Sequence, residues 1–181
     1  MTTVKLRERF GQLLGNWTGI EEHAGSPSSP GWREGVVPPG VNTAPGGRGG
    51  VVPPGVNTAA GTSARAAMTF KIDVADLVVV QDYRQVRADG REYLAHGVFM
   101  IDSGTGGLRW WLFDSDGQPP VVAEGGWHDG EMILRKASPQ GVARHRFSVA
   151  DDRLSYRISI QQGDTGEQDI LTGSYRRISG H

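Results

Sequence analysis

Of the five histidines in the chain, His145 has the best setting for chemistry. It lies in Ala143-Arg144-His145-Arg146-Phe147, where alternation puts Ala143, His145, Phe147 and Val149 on one face and Arg144, Arg146 and Ser148 on the other. An inward imidazole beside Phe147 could ligate a haem iron, orient a polar ligand or satisfy a core hydrogen bond. His96, between Ala95 and Gly97, has a similar setting. His23 and His128 fall in turns and His181 ends the chain, so all three read as solvated. No two histidines stand two or four residues apart, so no metal site is indicated. An enzymatic reading would use His145 or His96 as general base near Asp82 or Asp114.

Two further stretches could line a binding site. Val79, Gln81, Tyr83 and Gln85 share a face, with polar groups among apolar ones. Trp110-Trp111-Leu112-Phe113 is a dense aromatic run whose neighbouring tryptophans must point to opposite faces. Trp111 shares a face with Phe113, and the two are assigned to the lining. A tryptophan left outside suggests a homodimer surface or cover by another segment. The candidate ligand-binding set is therefore Gln81, Tyr83, His96, Trp111, Phe113, His145 and Phe147. No catalytic residue is assigned. The chain has no nucleophile elbow, phosphate loop or dinucleotide fingerprint, and Ser103-Gly104-Thr105-Gly106-Gly107 joins two strands instead of opening a helix.

These residues need a frame, and from Arg65 to Arg177 the frame is a series of short strands. Runs rich in Val, Ile, Tyr, Phe and Trp are separated by turn signals such as Ala88-Asp89-Gly90, His128-Asp129-Gly130 and Ala150-Asp151-Asp152. Strands are expected over 16–23, 65–74, 77–87, 92–101, 107–114, 119–127, 130–137, 141–150, 153–162 and 167–177. Consecutive hairpins of this length leave two exposed edges unless the sheet closes. The fold class is thus all-β: a single antiparallel up-and-down barrel of about ten strands. A short helix from Thr2 or Thr3 to about Leu14, with Leu6, Phe10, Leu13 and Leu14 at helical spacing, precedes it and caps one opening. Gly15, Trp17 and Gly19 read as structural, the indole plugging the barrel end while the glycines admit close backbone.

The barrel domain spans 1–24 and 64–181. Between them, 25–63 is a Pro/Gly-rich loop insertion with a tandem duplication, Gly35–Ala44 repeated as Gly50–Ala59 at an offset of 15 residues. Two copies cannot stack into a solenoid. An insertion by replication slippage, or an adhesive or lid segment, both fit that pattern. The Arg176-Arg177 pair reads as a solvated strand end.

Composition narrows the function classes. A net charge of −1 over 181 residues gives no general attraction to nucleic acid or membrane. Cysteine is absent, which removes disulfides, thiol catalysis and sulfur-ligated zinc. No apolar run reaches the length of a membrane span and no signal-peptide pattern opens the chain. A cytoplasmic protein is expected.

Leu13-Leu-Gly-Asn-Trp-Thr-Gly19, Val80-Gln-Asp-Tyr-Arg-Gln85, Ala95-His-Gly-Val-Phe99, Trp110-Trp-Leu-Phe-Asp-Ser115, Arg144-His-Arg-Phe147 and Gly173-Ser-Tyr-Arg-Arg177 together resemble the bacterial domain of unknown function 1579 family. The resemblance covers nearly everything except 25–63. It implies a calycin-like barrel, distantly similar to fatty-acid-binding proteins and nitrobindins, with a ligand-sized cavity and no established activity. Nitrobindin-like proteins share the Gly-x-Trp-x-Gly opening and hold haem through a histidine near the chain's end. Here Gln168–Arg177 has no histidine, and His145 alone could serve. The leading expectation is a small-molecule-binding barrel for a hydrophobic or amphipathic ligand. A haem protein using His145, the enzymatic reading above, and an interaction module with a filled barrel are the other readings.

Overall fold

The computed structural model describes residues 3–24, 62–115, 117, 119–120, 122–138, 141–163 and 166–178. The duplicated segment lies outside the described residues, as does His181. A helix, α1 (Thr3–Phe10), is followed by ten strands: β1 (Gly15–His23), β2 (Thr62–Asp73), β3 (Val78–Val86), β4 (Glu92–Ile101), β5 (Leu108–Asp114), β6 (Ala123–His128), β7 (Glu131–Ser138), β8 (Gly141–Ala150), β9 (Arg153–Gln161) and β10 (Gln168–Ile178). Each pairs antiparallel with its sequence neighbours, and β1 also pairs with β10, so the sheet is a closed barrel without edges.

Two boundaries differ from expectation for local reasons. β6 begins at Ala123 instead of 119, because Pro119 and Pro120 have no N–H to give a ladder. Its pairing with β5 is accordingly limited to Leu108–Gly125, Arg109–Glu124 and Trp110–Ala123. β2 begins at Thr62, inside the stretch assigned to the insertion, and pairs there with His23.

α1 closes one end of the barrel, and the core packs against it. Leu6, Phe10 and Leu13 are buried, and the Phe10 ring meets Phe99 and Trp127 at centroid distances of 5.6 and 5.8 Å. Beneath them Phe70, Phe99, Trp110 and Phe147 fill the barrel with edge and stacked contacts. Such rings contribute both buried area and preferred mutual geometry.

The junction between helix and sheet is organised by Trp17, which is fully buried and donates its indole N–H to the Leu13 carbonyl at 2.8 Å. Arg177 is not a solvated strand end. Its guanidinium lies 4.2 Å from the Trp17 ring centre and donates to the carbonyls of Leu14 and Gln12 and to Asp152. A closed barrel has no edge to protect, so this arginine ties the last strand to the cap. Gly15 has φ +119°, and a Cβ on Gly19 would lie 2.1 Å from the Ser174 carbonyl oxygen, so both opening glycines are needed where they stand.

Candidate functional site: an interior cavity with a buried carboxylate behind its wall

At the end opposite α1 the interior is hollow. A cavity of about 440 Å³ opens between the end of β1, the start of β2 and the β3–β4 turn. That volume is in the range that accommodates small organic ligands. Its wall is mostly apolar and aromatic, built from Ala64, Ala95, Trp110, Leu112, Tyr156 and Ile158 among others. Polar groups gather at the rim, where Thr62, Ser63, Gln85 and Arg87 stand.

Parity along each strand decides which candidates reach this space. On β3, Gln81, Tyr83 and Gln85 point inward and line it. On β8, His145 does the same. Three assignments are corrected. His96 shares the outer face of β4 with Leu94 and Met100, while the small residues Ala95 and Gly97 face in. On β5 the inner residues are Leu108, Trp110 and Leu112, so Trp110 lines the cavity while Trp111 and Phe113 lie outside. Both faces of β4 and β5 carry bulky residues, so hydrophobicity alone left their parity open. Phe147, a fourth, is fully buried in the packed core and does not line the cavity; it is stacked on Tyr156 at 4.4 Å. His23 is not solvated in a turn: it is half-buried on the rim.

The group missed at the sequence level is Glu21, which is fully buried. Tyr83 Oη and Gln85 Nε2 each donate to Glu21 Oε2 at 2.5 Å, and Tyr175 Oη donates to Oε1. Gln85 Nε2 also lies 2.9 Å from His23 Nε2. Three neutral donors thus hold a carboxylate behind the wall, and in return the carboxylate fixes Tyr83 and Gln85 at the cavity surface. Burial and the negative Glu21 drive the Tyr83 and Tyr175 hydroxyls far above their ordinary range, so both remain donors. Gly173 is opposite Glu21 in the ladder. A Cβ there would lie 2.7 Å from the Tyr175 ring and 3.2 Å from Glu21 Cγ, so glycine leaves the room in which the pair meets. A signal for Glu21 did exist: residues 17, 19, 21 and 23 share one parity, and the inward indole of Trp17 set it.

His145 terminates a second network. Its Nδ1 lies 2.9 Å from Tyr156 Oη, and the Trp110 ring stands edge-on to the imidazole at 4.9 Å. Burial, assisted by the positive charge of Lys136, lowers the His145 pKa to about 3, so the ring is neutral at ordinary pH. A base that weak is poorly matched to proton abstraction near neutrality. The His96–Asp82 pair, 2.8 Å apart, is on the exposed outer surface. Neither histidine forms a general-base arrangement inside the barrel.

The same geometry tests a haem. Among the described residues His145 Nε2 has no hydrogen-bond partner, but it is covered, with less than 1 Å² accessible. A water-sized sphere barely touches that nitrogen, and a macrocycle carrying an iron does not fit against it. Gln81 Oε1 and Trp110 Nε1 are covered in the same way. The residues present do not fit a haem ligated by His145. Among the described residues no cluster of His, Asp and Glu is arranged to hold a metal ion, and no helix is long and apolar enough to cross a membrane.

The neutral His145 makes stability pH-dependent in a definite direction. The unfolded imidazole titrates near 6.5 and the folded one near 3. Above pH 6.5 both states are neutral and this group adds no slope. Between 6.5 and 3 only the unfolded chain takes up the proton, so stability falls with pH by about 1.4 kcal/mol per unit. Urea unfolding at pH 7 and pH 5 should show a loss of about 2 kcal/mol in the wild type that His145→Phe lacks. Equal losses in the two proteins would contradict the assignment.

No protein-family model matches the chain, and no curated protein is similar to it in sequence. Among solved structures, the chain is similar to the crystal structure of Rv2717c from M. tuberculosis, with a TM-score of 0.60 and 15% sequence identity. The match covers 96% of this chain and 97% of that one. Identity at that level shows a common fold, the closed barrel, and nothing finer.

Proposed function

We propose that the protein is a calycin-like, small-molecule-binding barrel whose ligand is mostly apolar and enters the cavity from the rim. The observation that carries this reading is the hollow itself. Ten strands of this length supply enough side chains to fill the barrel, and at the α1 end they do. At the other end, Ala64 and Ala95 face inward where larger residues would close the space. Leaving about 440 Å³ unfilled forgoes packing contacts that a larger aliphatic residue would gain. The Glu21 network supports the same reading, because it holds Tyr83 and Gln85 in fixed positions at the cavity surface. Burial of the ligand supplies the affinity, and the rim supplies orientation.

The filled-barrel interaction module is weaker on this geometry, since its premise is a packed interior. The outer face does expose Leu94 and Phe113 beside His96, yet nothing in the structure says what would cover them.

Fatty acids, retinoids and flavins, each screened by thermal unfolding, test the proposal. A ligand present at about one hundred times its Kd stabilises by about 2.7 kcal/mol, or roughly 5–10 °C in Tm for a domain of this size. Ala95→Trp, which fills the cavity, should abolish the shift. Silence across the whole panel, or a shift that survives Ala95→Trp, would count against ligand binding in this space.

A further inference from the structure

The structure allows the ligand class to be narrowed, on the premise that the cavity is a binding site. We propose that it takes an aromatic anion: a planar ring system seated among Tyr83, Trp110 and Tyr156, with its charged group at the rim against Arg87. Four aromatic side chains, Tyr83, Tyr93, Trp110 and Tyr156, stand in the wall, and they offer faces and edges to a flat guest. Tyr83 and Tyr93 already stand edge to face at 5.8 Å across the upper part of the cavity.

Among the described residues, the polar side-chain atoms at the inner end are covered or already bonded, Gln81 Nε2 to Met68 Sδ included. His145 Nε2, Gln81 Oε1 and Trp110 Nε1 are covered, the Tyr156 hydroxyl is taken by His145, and the Tyr83 hydroxyl by Glu21. A ligand's polar group must therefore remain at the rim. There, among the described residues, Arg87 is the one arginine on the cavity wall, and no carboxylate lies within ion-pair distance of it. Its guanidinium carbon lies 5.7 Å from the Tyr93 ring centre, a cation–π contact that uses none of the N–H donors an oxyanion would take. The rim carboxylate, Asp89, is already engaged by the Arg91 side chain at 2.6 Å and its backbone N–H at 3.0 Å. Glu21 is fully buried and held by three donors. Arg87 is within electrostatic reach of Asp89, but Asp89 is bonded to Arg91, so among the described residues the Arg87 guanidinium has no direct ion pair, and such a group pairs best with a planar carboxylate, sulfonate or phosphate.

Two fluorescent probes separate charge from shape: 8-anilinonaphthalene-1-sulfonate, and N-phenyl-1-naphthylamine, which has the same ring system without the sulfonate. The wild type is expected to bind both, the sulfonate more tightly. Arg87→Gln should weaken the sulfonate about tenfold and leave the neutral amine within about twofold, which also shows that the variant's cavity is intact. If Arg87→Gln changes neither affinity, or weakens both alike, the anion proposal is overturned while cavity binding stands. If neither probe binds the wild type, the binding reading fails and this one with it.

Discussion

Replacing Glu21 with alanine is expected to cost about 3–5 kcal/mol of folding stability, among the largest effects of any single substitution in the sheet. The change leaves the Tyr83 and Tyr175 hydroxyls and the Gln85 amide without their acceptor, in a place that water reaches poorly. Each buried donor left unpaired costs about 1–3 kcal/mol, and breaking one side of a buried charged network costs about 3–5 kcal/mol in comparable cases. The penalty belongs to the orphaned partners more than to the carboxylate. Removing the donors as well, in Glu21→Leu combined with Tyr83→Phe and Tyr175→Phe, should therefore recover a substantial part of it. Urea unfolding of the single and triple variants measures both quantities. A single variant within about 0.5 kcal/mol of wild type would show that the network holds nothing together.

Trp17→Ala is the second large effect, with an expected loss of about 3–5 kcal/mol. The indole is fully buried where β1 leaves the cap, and three things depend on it. It packs into the core, it bonds the Leu13 carbonyl, and it provides the surface beneath Arg177. Loss of the ring should free Arg177 from the cap carbonyls of Gln12 and Leu14 and loosen α1. Hydrogen exchange in residues 3–13 should then rise more than in β7, which pairs with β6 and β8. Uniform protection along the chain would contradict the role assigned to Trp17.

Much of the architecture was legible because β-structure writes itself in turns. Asp-Gly and Asp-Asp signals at 89–90, 129–130 and 151–152 cut the chain into short strands, and several hairpins turn there with positive φ at Gly90, Asp129 and Asp151. Closure followed from the cost of leaving two edges open. The site was only half legible, and the reason is parity. β8 and β9 alternate cleanly, so His145 was placed correctly. On β4 and β5 both faces are bulky, and the outer face of His96, Trp111 and Phe113 could not be told from the inner one by hydrophobicity. Register resolves it: His96 is opposite Phe113, and Gly97 opposite Leu112, so one strand's parity fixes the other's. Glu21 escaped notice because a charged residue next to Ile20 looks solvent-facing, whereas Ile20 is the exposed one and Glu21 is inside. A buried carboxylate is stable there only because two tyrosines and a glutamine from distant strands converge on it, a long-range arrangement that local pattern does not record.

The central claim is that the end of the barrel away from α1 holds a guest. It is tested most directly by following the methyl signals of the protein during titration with N-phenyl-1-naphthylamine. Shifts should concentrate at Ala64, Ala95, Leu112, Ile158 and Leu171, which line the cavity, and should leave Leu94 and Met100 on the outer face unmoved. Shifts confined to that outer face, or none at saturating probe, would contradict it.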